Sequence, residues 1–181
     1  MAWIIREPNN HFKVMVRTAW DNTIPIICAT SDEGRLGGES YLDYLDECIS
    51  IGAADQFGNT ALWVSASKRT LFLPGIDIPI ELDDGTKTVS GSSVATALAC
   101  GFAGLLFFAK RFVAPEDPQG LDRFKGNLLQ VFRRFTTLHD SRDHGYVNAA
   151  LILRDILKRE DSPEELKQRL ETMVRYLEGH D

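Results

Sequence analysis

Residues 94–109 hold sixteen consecutive positions without a charge, Val-Ala-Thr-Ala-Leu-Ala-Cys-Gly followed by Phe-Ala-Gly-Leu-Leu-Phe-Phe-Ala. A helix that is apolar all round is a buried helix, so this run predicts a central core element. A bilayer span is the competing reading. Sixteen residues fall short of the about 20 that a span needs, and extending backward adds only Ser and Gly. The first half of the run is small: Ala95, Ala97, Ala99, Cys100, Gly101, Ala103 and Gly104. Small residues let a helix lie close to neighbouring backbone. A core helix is therefore expected, with no membrane partner.

The rest of the 181 residues can supply a core for it. The chain is 44% hydrophobic, enough to exclude global disorder. Net charge is −6 and no basic tract stands out, which argues against a nucleic-acid partner. Cys28, Cys48 and Cys100 are odd in number, and Cys28 and Cys100 sit inside apolar runs. Buried free thiols fit this better than a disulfide framework or a paired-cysteine metal site. No metal and no cofactor is implied. The N-terminus lacks a basic leader followed by a long apolar region, and there is no Asn-x-Ser/Thr acceptor. A reducing, cytoplasmic location is expected, although a piece of a longer secreted chain would read the same way.

Strand and helix patterns alternate. Residues 10–20 have helical spacing, with Asn9 or Asn10 as cap. Short apolar runs at 24–29, 49–54, 62–66 and 70–73 read as strands, and 76–80 as an edge strand after Pro74-Gly75. Asp83-Asp84-Gly85-Thr86 predicts a hairpin tip. Residues 115–120 read as a linker, and 121–135 and 146–157 as amphipathic helices. A last helix opens with the capping box Ser162-Pro163-Glu164-Glu165 and stops at Gly179. The class is α/β, a mostly parallel sheet with packed helices. Residues 1–113 are expected to hold the sheet domain, and 114–181 a helical extension packed on it.

Ser93 opens the apolar helix, behind Ser90-Gly91-Ser92. A serine there sits beside unpaired backbone N–H groups that stabilise an oxyanion, and it is also simply a good helix cap. The segment Ser90-Gly91-Ser92-Ser93-Val94-Ala95-Thr96-Ala97 resembles the nucleophile segment Gly-Thr-Ser-x-Ala-x-Pro of subtilisin-like serine peptidases. Gly91, Ser93 and Ala95 match; Ser92 replaces Thr and Ala97 replaces Pro. Three other stretches are similar to that family in the same order. They are residues 26–34, residues 49–55 running on to Trp63-Val64-Ser65, and Leu73-Pro74-Gly75-Ile76-Asp77-Ile78.

The resemblance implies a subtilisin-like fold, truncated on its N-terminal side, acting on a peptide or protein substrate. It makes Ser93 the nucleophile and Ala29, Thr30 and Ser31 one wall of the substrate pocket. Gly91 and Ser92 line the approach, and Asp32 takes the oxyanion-hole position usually held by Asn. An ionised Asp cannot donate there, and losing one such donor costs ~10²–10³ in turnover. The family's Asp-x-Gly and His-Gly-Thr segments have no counterpart among these residues. His11, His139, His144 and His180 occur in no such context. The stretch from His139 to His144 reads as a solvated polar loop rather than a substitute base or a metal site. An upstream segment is thus expected to supply the triad's Asp and His. The alternative is a catalytically inactive binding or scaffold module of an intracellular multi-domain protein. A truncated sheet also predicts exposed edges and poor solubility of the isolated chain.

Overall fold

The computed structural model describes residues 7–34, 40–65, 70–83, 85–137, 145–149, 154 and 162–179. Helix α1 (Asn10–Asp21) starts on Asn9, whose side chain accepts from the Phe12 N–H at 2.8 Å. Strand β1 (Ile26–Ala29) follows, then a 3-10 turn (Tyr41–Tyr44), β2 (Cys48–Ala54) and β3 (Leu71–Pro74). A hairpin of β4 (Ile78–Leu82) and β5 (Gly85–Val89) leads into α2 (Ser92–Val113). Helices α3 (Pro118–Gly126) and α4 (Leu128–Arg134), short strands β6 (Thr136–Thr137) and β7 (Tyr146–Val147), and α5 (Pro163–Glu178) complete the order.

The main sheet runs β1-β2-β3-β7-β6, parallel except for the β6–β7 pair. Every residue of β2 is buried, as a parallel strand covered on both faces must be. The pleat sends alternate residues to opposite sides. Ile27, Ile49, Ile51 and Ala53 join the core under α2, which packs across β1, β2 and β3. Cys28 and Cys48 instead pack with Val16 of α1 and Leu42 of the 3-10 turn. There the Cys48 thiol hydrogen-bonds Cys28, which holds Cys28 below the usual thiol range and pushes Cys48 up.

The main core continues into the C-terminal elements. Phe102 of α2 stacks on Phe132 (centroids 5.7 Å) and meets Phe135 edge-on at 5.2 Å. Leu170 and Val174 of α5 pack on Ala109. Lys110, 7% exposed, is pinned to Glu178 at 2.6 Å.

Several sequence expectations are corrected. Residues 62–65 form a turn, not a strand; residue 66 lies outside the described residues. This segment bonds the loop after β1 instead of a sheet: Gly34 N–H donates to Trp63 O and Ser65 N–H to Ser31 O, both at 2.8 Å. The single helix expected over 121–135 breaks at Asn127, which ends α3 and starts α4, and Pro118 already begins α3 with Asp117 as its cap. Tyr146 and Val147 are strand rather than helix, because the β3 edge captures them in register Phe72↔Tyr146. Ala149 and Arg154 are helical, and the rest of 146–157 lies outside the described residues. The predicted hairpin and the α5 capping box are present, with Gly179 left-handed at φ 84°.

The apolar helix is the most instructive correction. It is longer than the uncharged run, and one side of it is bare. Leu98, Leu105, Phe108 and Phe112 are 44%, 50%, 64% and 45% exposed, and Cys100 is exposed with them. The sheet and α5 can cover only the opposite side of a cylinder. Among the described residues α2 is the one helix long and apolar enough to cross a bilayer.

Candidate functional site

The matched segments meet where the parallel strands end. In open α/β sheets the crevice outside the carboxyl ends of the strands is where ligands bind. Here it is bounded by the loop after β1, the turn at 61–65, Gly75 after β3, and the head of α2.

Backbone bonds stitch the crevice together. Gly75 N–H donates to Ala54 O at 2.9 Å, and Gly91 N–H donates to Gly75 O at 2.8 Å. A Cβ on Gly75 would meet Ala53, Ala95 and the Gly91 carbonyl, each within 2.9 Å, so only glycine lets the three segments approach. Gly91 has φ 151°, ψ 155°, a region essentially reserved for glycine. That unusual turn aims the chain into α2.

Ser92 is a buried anchor. Its Oγ accepts from the Ala53 N–H and from Thr30 Oγ1, each at 3.2 Å. Its carbonyl accepts from Thr96 Oγ1 at 2.7 Å. Its N–H donates to Asp32 Oδ2 at 2.9 Å. Asp32 thus caps α2 from outside the helix, where a carboxylate also complements the helix dipole. The sequence placed Asp32 here but did not show this bond.

Ser93 is left exposed at the helix head. The N–H groups of Val94 and Ala95 both donate to Gly91 O. Among the described residues, the Ser93 N–H has no acceptor. A hydroxyl and an open helix N–H therefore lie side by side on one residue. Ser93 Oγ lies 3.2 Å, and Asp32 Oδ2 3.4 Å, from the point a Cβ on Gly91 would occupy. Hydroxyl, open donor and carboxylate therefore share one small space.

The other sequence-selected residues lie beneath. Ala29, Thr30 and Ser31 are buried, and the Thr30 N–H is spent on Ile51 O. Two supports carried no role in the sequence reading: Gly75, signalled by Pro74-Gly75, and the buried Thr30–Ser92 link, which has no local signal. Beside them the loop after β2 is self-contained. Asp55 accepts from the Phe57 and Asn59 N–H groups and from Asn59 Nδ2, which hold its carboxyl below the usual range.

No histidine joins Ser93 among the described residues. His11 is exposed on α1 with no hydrogen bond to Ser93, and His139, His144 and His180 lie outside the described residues. No group of three or more metal-ligating side chains occurs among the described residues either.

No family model matches the chain, and no curated protein matches it. Solved structures do. The prenylagaramide maturation protease PagA is 21% identical, covering 81% of this chain and 55% of its own, with TM-score 0.64. The self-cleaved protease domain of PatA is 18% identical, covering 99% and 59%, with TM-score 0.67. The PatG macrocyclase in complex with peptide is 16% identical, covering 87% and 51%, with TM-score 0.64. The chain has the subtilisin-like protease fold and spans between half and three-fifths of these structures.

Proposed function

We propose that these residues are the nucleophile-bearing portion of a subtilisin-like serine endopeptidase, with Ser93 as nucleophile. The single observation that carries the reading is the exposed Ser93 hydroxyl beside its own open N–H at the head of α2. Ser93 Oγ attacks the peptide carbonyl of a bound substrate, and its proton passes to a histidine oriented by an aspartate. Both are supplied from outside the described residues. The oxyanion that forms accepts from the Ser93 N–H. Gly91 leaves room for substrate backbone, and the strand end at Ala29, Thr30 and Ser31 offers one wall. The fold shared with two maturation proteases supports this reading.

Asp32 sets the rate in this scheme. An asparagine could accept from Ser92 N–H through its oxygen and donate to the oxyanion through its amide; a carboxylate only accepts. Asp32→Asn is therefore expected to speed turnover by ~10².

Asp32 also favours a second reading, a peptidase-like scaffold that binds peptide without cutting it. A fluorophosphonate probe separates the two. Applied to a longer chain that includes the upstream segment, it is expected to label Ser93, with labelling abolished in Ser93→Ala. Absence of label in that longer chain sinks the enzymatic reading. Peptide binding unchanged by Ser93→Ala supports the scaffold.

A further inference from the structure

We propose that a cleft at the far end of α2 binds an organic carboxylate, a monoanion with an apolar body. The cleft encloses about 530 Å³ between the last turn of α2, α3, α4 and the end of α5. That volume falls within the roughly 300–1,000 Å³ of small-molecule sites. Lys110 on its wall is seventeen residues along α2 from Ser93, about 25 Å at the helical rise. The cleft is therefore separate from the crevice at the strand ends and from the chemistry of Ser93.

Its charges are arranged for one anion. Lys110, Arg123 and Arg134 line it beside Asp117 and Glu178, a surplus of one positive charge in a chain of net −6. Both carboxylates are already committed. Glu178 holds the buried Lys110 ammonium at 2.6 Å. Asp117 Oδ1 caps α3 by accepting from the Gly120 N–H at 2.7 Å. Asp117 Oδ2 stands 3.9 Å from Arg123 and 4.0 Å from Lys110, too far to hydrogen-bond either. Arg134 meets no carboxylate among the described residues. Its Nη1 donates to Tyr176 O at 2.6 Å, and the guanidinium lies over the Tyr176 ring. One bond and one stacked face hold that fork in place, and most of its N–H donors stay open.

The neutral lining fits the rest of such a ligand. Asn127 and Gln130 border the cleft with side-chain amides that make no hydrogen bond among the described residues. Phe124, Val131 and Leu177 are its buried apolar floor. A guanidinium matches a planar carboxylate through two parallel bonds. The amides supply further donors, and the floor accepts an aliphatic or aromatic body. A dianion such as phosphate fits less well, because the surplus is one charge and Asp117 and Glu178 repel the second. The C-terminus of a peptide and a free carboxylic acid share the chemistry that fits.

Titration calorimetry tests this on the longer chain that includes the upstream segment, treated with fluorophosphonate so that no hydrolysis intervenes. N-acetyl-leucine is expected to bind one to one. N-acetyl-leucinamide, which lacks the charge, is expected to bind about tenfold more weakly. Gln130→Glu puts a like charge on an exposed helical position at little change in helix propensity. It is expected to weaken binding of the acid about tenfold with the melting temperature unchanged. Arg134→Gln, which keeps an amide donor for Tyr176 O, is expected to weaken it similarly. Absence of N-acetyl-leucine binding, equal affinity for acid and amide, or acid binding unchanged in both variants overturns the proposal. Phosphate binding more tightly than N-acetyl-leucine overturns it as well. Acetyl-Ala-Ala-Leu as the free acid separates the two sources. Tighter binding than N-acetyl-leucine assigns the cleft to a peptide terminus, and equal or weaker binding to a free carboxylic acid.

Discussion

On one side of α2, Ala95, Ala99, Phe102, Ala103 and Leu106 pack into the main core, and Ala109 packs under α5. On the other side, Ala97, Leu98, Gly101, Gly104, Leu105 and Phe108 face outward. Both sides are built from Ala, Leu and Phe, with the two glycines only on the outer one. Hydrophobicity therefore does not distinguish them; partners do. The inner side meets the sheet and α5, and nothing among the described residues meets the outer side over most of its length. An uncharged run of sequence predicts a buried helix, without stating which of its sides its own chain covers.

The contrast can be broken most sharply at two phenylalanines of one helix. Phe102→Ala removes a ring stacked on Phe132 and edge-on to Phe135 and is expected to cost about 3–5 kcal/mol, read as a lowered denaturant midpoint. Phe108→Ala, on the bare side, is expected to stay within about 0.5 kcal/mol in the same measurement. Equal losses at the two sites would show that the outer face is packed.

The helix end offers an intermediate effect. Glu178→Gln leaves the Lys110 ammonium buried, with its other acidic partner, Asp117, at 4.0 Å. A loss of about 1–3 kcal/mol is expected by thermal melting. Gly104→Ala reverses the sign, because added helix propensity meets open space. A gain of about 1 kcal/mol is expected by chemical denaturation, and a loss would mean that this chain itself already fills the site.

The smallest effect belongs to the C-terminal helix. Glu165 accepts from the Ser162 N–H at 2.9 Å, which lowers its pKa in the folded state. A depressed folded value means its contribution is complete above the unfolded carboxylate pKa of about 4.3, and is lost as pH falls through the lower folded value. The protection factors of the amides in the first turn of α5, taken against the intrinsic exchange rate at each pH, should therefore fall on acidification. In Glu165→Gln that acid dependence should vanish.

Much of the fold was legible because its signals are local. Asn9, the Ser162 to Glu165 box and Gly179 act within one helical turn, so their sequence spacing is also their spatial spacing. The strands β1 to β3 were legible as short apolar runs. The turn at 62–65 was misread because its apolar residues imitate a strand, while its backbone bonds go to a loop thirty residues away. Tyr146 and Val147 were misread because a sheet edge outbids a helical pattern only when the edge is present.

The candidate site divides the same way. The sequence by itself determined that a serine follows Ser90-Gly91-Ser92 at the head of an apolar helix, because cap, glycine and helix are neighbours along the chain. It also determined the α/β class, through the alternation of periods. Only the tertiary structure decided that Ser92 is an anchor and Ser93 the exposed group, since the Thr30 and Ala53 contacts that bury Ser92 come from other strands. The same holds for Asp32 on the Ser92 N–H and for the bare side of α2. Hydrophobic burial is non-directional, so residue types along a helix specify that it will be covered, and only its packed neighbours specify which side is covered and which side remains open.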